Sequence, residues 1–117
     1  MSETDLQRAI IKALESMGVW CCVMNVTKRR GKRGVNCGET GMPDIWTEYG
    51  WGECKLPGED LSPHQLLWHG KAQARDIPVA TWRSVSEAVG TVIGWRANKV
   101  RPQAKEGGNL TRGRRLV

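Results

Sequence analysis

The chain has no phenylalanine and a single tyrosine among its 117 residues, so its aromatic surface rests almost wholly on six tryptophans. No apolar run approaches the roughly 20 residues that a bilayer span requires, so no membrane helix is expected. The N-terminal MSETDLQRAI carries acidic residues where a secretory leader would place a basic stretch followed by an apolar one. No leader is expected, and a cytoplasmic location follows. C-x-x-C pairs are absent, and the four cysteines, Cys21, Cys22, Cys37 and Cys54, have no matched histidine spacing. Adjacent residues of a strand face opposite ways, so Cys21 and Cys22 make a poor start for one tetrahedral zinc site. Buried thiols in a reducing compartment is the reading that remains. There is no internal repeat.

A chain of this length forms one domain that buries about two-thirds of the surface its unfolded form would expose, and it needs neither disulfide nor metal merely to fold. The formal charge is +6, unevenly placed. Residues 1–95 balance 11 basic against 11 acidic groups, whereas residues 96–117 hold seven basic and one acidic. Within the neutral part, Lys28, Arg29, Arg30, Lys32 and Arg33 contribute +5, while residues 39–60 gather Glu39, Asp44, Glu48, Glu53, Glu59 and Asp60 against Lys55 alone. Such a run is either a solvated face or a contact for a polyanion. An acidic centre facing a polyanion is repulsive unless a cation lies between them, so a metal-dependent nucleic-acid enzyme reconciles the two charges.

Hydrophobic spacing predicts the order α-β-β-β-α-β-α, an α/β domain over residues 1–97 in which helices flank a mixed sheet. Leu6, Ala9, Ile10, Ala13, Leu14 and Met17 define a helix over 3–17, with Ser2 and Asp5 as its capping box. Residues 19–26 read as a strand buried on both faces. The glycine-rich stretch 27–42 is a loop, and residues 43–48 and 51–56 are strands joined at Tyr49-Gly50. Ser62, Pro63 and Gln65 begin a helix over 63–75 with a capping box, residues 77–82 form a strand, and Ser84 and Glu87 repeat the capping box at the start of a helix that runs to about 97. The basic stretch 98–117, with Pro102, Gly107, Gly108 and Gly113, is expected to be a tail without packed structure. Trp20, Trp68 and Trp82 fall inside elements and read as core. Trp46, Trp51 and Trp95 are candidates for exposure, either to stack on unpaired bases or to form a dimer face.

The chemistry converges on the hairpin. Glu53 and Lys55 share a face of one strand with Cβ atoms about 6.5–7 Å apart, and Cys54 turns into the core. If the strands pair in register, Asp44 joins that face. Two carboxylates, with the backbone carbonyl of Cys54 as a third oxygen, suit Mg²⁺ or Mn²⁺, and Lys55 is placed to orient water or to stabilise charge on a phosphate. Ordinary surface charges with a weak ion pair are the alternative. Gln65 is either the capping partner of Ser62 or a side chain turned to the site. Glu3, on the apolar stripe of the first helix, is either a group that needs a cation or a dipole-favoured acid of a first turn.

The runs GMPDIW and WGECKLPGEDLSPHQLLWH, preceded by SETDLQRAIIKAL, resemble the VRR-NUC (virus-type replication-repair nuclease) domain of the PD-(D/E)xK nuclease superfamily. The likeness covers about residues 3–83. It implies a restriction-endonuclease-like core and a metal-dependent phosphodiesterase, with Asp44 and Glu53 as ligands of Mg²⁺ or Mn²⁺, Lys55 as the catalytic lysine, and Gln65 and Glu3 as supporting site residues. DNA is the implied substrate, branched or junction DNA in particular. The resemblance further implies a homodimer, a phage or mobile-element role in replication or repair, the host cytoplasm as location, and no organic cofactor. A module that keeps the fold and binds nucleic acid without cutting is the rival reading. Lys28, Arg29, Arg30, Lys32 and Arg33 are the expected phosphate contacts. Five such contacts on duplex DNA give a slope of log K against log salt of roughly −4.5.

Overall fold

The computed structural model describes residues 1–24 and 39–106. Its elements are α1 (Glu3–Ser16), β1 (Cys21–Val23), β2 (Ile45–Thr47), β3 (Gly50–Cys54), α2 (Pro63–Ala74), β4 (Val79–Trp82) and α3 (Val85–Glu106), in the expected order. The strands form one mixed sheet ordered β1-β2-β3-β4, with β4 parallel to β3 and the other pairs antiparallel. A parallel pair needs a crossover, and α2 supplies it.

Strand alternation gives the sheet two unlike faces. One carries Cys21, Ile45, Cys54 and Trp82, which pack with Leu6, Ile10 and Leu14 of α1 and with Ala88 and Val92 of α3. Each large apolar side chain so buried contributes about 1.5–3 kcal/mol. The other face carries Cys22, Trp46, Trp51, Glu53 and Thr81, and α2 covers only part of it, where Trp68 meets Trp51 edge to face at 5.5 Å.

Two of the three expected capping boxes form. Asp5 N donates to Ser2 Oγ at 3.1 Å and Gln65 N donates to Ser62 Oγ at 3.2 Å, each answered by the reverse bond from the cap backbone. At α3, Glu87 N donates to Ser84 Oγ, but the Glu87 carboxylate accepts from Arg83 N rather than from Ser84 N.

Several expectations need correction. The first strand is Cys21–Val23 and is not buried on both faces: Cys21 is buried, while Cys22 and Val23 are exposed. Among the described residues it lies at the edge of the sheet, and no helix covers its outer face. Trp20, expected in the core, is 69% exposed for the same reason. Trp95, a candidate for exposure, packs against the core, and Trp46 and Trp51 are half-buried. The hairpin loop is Glu48-Tyr49, because Thr47 pairs with Gly50 and its hydroxyl accepts from Tyr49 N and Gly50 N. The last helix runs on to Glu106, beyond the expected end near 97. Lys99, Arg101, Gln103, Ala104, Lys105 and Glu106 are good helix formers and continue the helix across Pro102. Residues 107–117, Cys37, and the run Lys28, Arg29, Arg30, Lys32 and Arg33 lie outside the described residues. Cys21 and Cys54 are buried thiols, pushed up to about 11 and about 12 chiefly by burial, while Cys22 is exposed.

Candidate functional site

The hairpin register determines which carboxylates meet. Ile45 pairs with Gly52 and Trp46 with Trp51, so the next step places Asp44 opposite Glu53, and cross-strand partners share a face. Asp44 is fixed there by Cys54 N, which donates to its Oδ2 at 3.0 Å. In an antiparallel ladder a residue's N–H and C=O point to the same edge, so the Cys54 carbonyl also lies on the Asp44 side. Gly41, at the head of GMPD, has φ +88, and a Cβ on it would run into the carbonyl of His64 in the first turn of α2. Glycine at this position lets the strand carrying Asp44 approach the helix that carries Gln65.

Glu53 is 2% exposed, and its Oε1 is buried with no partner. Its Oε2 accepts from Gln65 Nε2 at 3.1 Å, while Gln65 Oε1 accepts from Ser62 N at 2.8 Å. The two readings of Gln65 therefore hold together, since one amide caps the helix and holds the carboxylate. Burial, followed by the negative charge of the adjacent Asp44, pushes Glu53 up to about 9. Lys55, just past the end of β3, pulls in the opposite direction.

Glu3 comes to the same locality from α1. Burial raises its pKa, aided by a side-chain hydrogen bond with Glu59, and both Asp44 and Lys55 act on it electrostatically. Glu59 is the site residue that sequence reasoning missed, having been weighed only as one of the acids of residues 39–60. The Leu56–Glu59 turn presents it: Pro57 precedes Gly58 at φ +89, Glu59 N donates to Leu56 O at 3.0 Å, and Leu56 N donates to Glu59 Oε1 at 2.8 Å. The proline and glycine before an acid were the available signal. The bond with Glu3 is the largest cause that lowers the pKa of Glu59. Arg83 Nη2 straps this turn to the sheet by donating to Glu59 O at 2.9 Å.

The structure thus brings together Asp44, Glu53, Lys55, Gln65 and Glu3, and adds Glu59. Among the described residues, no group of three or more His, Cys, Asp and Glu side chains is gathered to hold a metal ion. The donor set nevertheless fits a hard divalent cation of the Mg²⁺ kind, which commonly takes one or two carboxylates and fills its remaining positions with water and phosphate oxygens. A buried carboxylate oxygen without a partner, beside a second carboxylate, is the feature that such a cation would satisfy. No family model matches the chain, and neither a curated protein nor a solved structure matches it.

Proposed function

We propose that the chain is a Mg²⁺- or Mn²⁺-dependent endonuclease of the PD-(D/E)xK type, VRR-NUC-like, that hydrolyses DNA phosphodiester bonds. The observation that carries this reading is Glu53, a buried carboxylate with one oxygen held by Gln65 and the other unpartnered, standing opposite Asp44 on a hairpin whose same face bears Lys55. A buried carboxyl held neutral is costly to keep for structure alone, and its environment is that of a functional group.

In this reading Asp44, Glu53 and the Cys54 carbonyl hold the cation. When bound, it supplies Lewis acidity and neutralises charge at a phosphate. Glu53 must give up its proton to become a ligand, so loading releases a proton. Gln65 then keeps one carboxylate oxygen occupied and fixes which lone pairs face the substrate. Lys55 donates to a non-bridging phosphate oxygen or orients the attacking water. Glu3 and Glu59 set the local negative potential that draws the cation in. Lys28, Arg29, Arg30, Lys32 and Arg33 are assigned to the phosphate backbone on their sequence alone. Branched DNA as substrate, a homodimer, and a phage or mobile-element role rest on the resemblance of the motifs.

The test is incubation of duplex, single-stranded, flap and four-way-junction DNA with Mg²⁺ or Mn²⁺, alongside Glu53→Ala and Lys55→Ala. Metal-dependent cutting that both substitutions abolish is the expected result. Cutting that survives both would overturn the site, and binding without cutting under either metal would favour the non-catalytic module.

A further inference from the structure

Four of the six tryptophans lie on the sheet face that carries Asp44 and Glu53. Trp46 and Trp51 are cross-strand partners, each two residues from one of the carboxylates along its own strand, hence about 6.5–7 Å away on the same face. Trp20 meets Trp46 edge to face at 4.9 Å, and Trp68 meets Trp51 in the same way at 5.5 Å. The result is an aromatic belt of two ring pairs, joined through the cross-strand partners Trp46 and Trp51, that runs from the exposed edge strand towards the carboxylates.

Its outer member is the unusual one. Trp20 is 69% exposed, yet its backbone is firmly placed: its main-chain N–H donates to Glu48 Oε1 at 2.9 Å, its main-chain carbonyl accepts from Glu48 N at 3.0 Å, and its ring meets Trp46. A large ring left in water, on a backbone tied to Glu48 and with one ring contact to Trp46, adds little to the core. It offers a preorganised π-face to a ligand.

We propose that this belt is a stacking platform for the unpaired bases of a DNA strand whose phosphate enters the Asp44–Glu53 site. The proposal deepens the nuclease reading and rests on it for the identity of the reacting phosphate. Two arguments select this occupant. The connection between β1 and β2, which leaves from Met24 beside Asp44, holds five basic residues against Glu39 and Asp44 in its sequence and complements a polyanion rather than an apolar surface. A second protein laid across the belt would also cover Asp44 and Lys55, whereas an extended strand reaches the belt and the site in succession. Base pairs in a duplex keep their faces stacked on one another, so only unpaired nucleotides can use such a platform.

Fluorescence anisotropy of labelled twenty-residue oligothymidylate and of a duplex of equal length, in EDTA so that no cutting occurs, tests this with wild type, Trp20→Ala and Trp20→Phe. Trp20 is mostly in water, so neither variant opens the core, and thermal melting checks their folding. The expected result is about a tenfold loss of oligothymidylate affinity in Trp20→Ala, the equivalent of about 1.4 kcal/mol at one stacked base. Duplex binding should change less than about twofold, and Trp20→Phe should recover most of the loss. Equal affinity of wild type and Trp20→Ala for oligothymidylate would overturn the proposal, as would an equal loss on duplex. A dimer that Trp20→Ala dissociates, with oligothymidylate binding intact, would assign the belt to a second copy and overturn it too. Cutting without any Trp20 effect refutes the belt alone, and Trp20-dependent binding without cutting in any metal refutes the enzyme reading alone.

Discussion

Cys54 and Glu53 are neighbours on β3 and equally hidden, at 0% and 2% exposure, yet they belong to opposite faces of the sheet. Burial raises the pKa of both. A thiol is already neutral near pH 7, so burying Cys54 among Trp82, Ile45 and Leu6 contributes to packing without electrostatic cost. A carboxyl is ordinarily charged there, and burying Glu53 beside Asp44 sets folding against ionisation. One face of the sheet spends its residues on stability, and the other holds a group that the fold would be better off without.

The sharpest way to break that contrast is on the site face. Lys55→Ala should lower metal-dependent cleavage by about 10²–10⁴-fold while leaving the urea midpoint near that of wild type. A loss of cleavage that merely follows unfolding would erase the distinction between the faces. On the core face, Trp82→Ala should cost about 3–5 kcal/mol in urea unfolding, because a fully buried ring leaves a cavity. An effect under about 1 kcal/mol would mean that this face is not the core described above.

The pH dependence of stability separates the two neighbours directly. The folded-state pKa of Glu53, about 9, lies above its ordinary 4.5, so the folded chain binds the extra proton. Its contribution is complete below about pH 4.5 and is lost as pH rises towards 9. Metal-free protein should therefore lose stability across that window, and Glu53→Gln should flatten the loss. Mn²⁺ should restore stability to the wild type, more so at high pH, and should not restore it to Glu53→Gln. Thermal melts across pH with and without Mn²⁺ read all four curves. A wild type whose stability is level across the window would refute the neutral Glu53.

The smallest effect belongs to Gln65, which serves both regions at once. Gln65→Ala removes one cap bond and one carboxylate contact, and should cost about 1–2 kcal/mol of stability. Gln65→Glu keeps an acceptor for Ser62 N but cannot donate to Glu53, so it should retain more of the cap than of the cleavage. Equal losses in both assays would show that the amide serves the helix alone.

What was legible in the sequence follows from which signals are local. Ser2 with Asp5, and Ser62 with Pro63 and Gln65, mark helix starts because a cap acts within four residues, and both formed as expected. The shared face of Glu53 and Lys55 follows from strand alternation, and Asp44 joined it once the register was known. Trp20 was misplaced because an apolar, β-prone run looks the same in a central strand and in an edge strand, and only the neighbours of β1 decide between them. Glu59 was missed because its position depends on the Leu56–Glu59 turn, on the Arg83 strap from β4 and on the first turn of α1, three contacts that sequence spacing does not connect. The continuation of α3 past residue 97 needed no apolar periodicity, which was the signal relied upon.

Because Gln65 closes the first turn of α2 and grips Glu53 with the same amide, the readiness of the site is tied to local fraying of that helix. Leu66 N donates to Ser62 O at 2.9 Å across this turn, so the slowness of its hydrogen exchange becomes a clock for how long the carboxylate stays aimed. Conditions that speed that exchange should disarm the site before any global unfolding is seen.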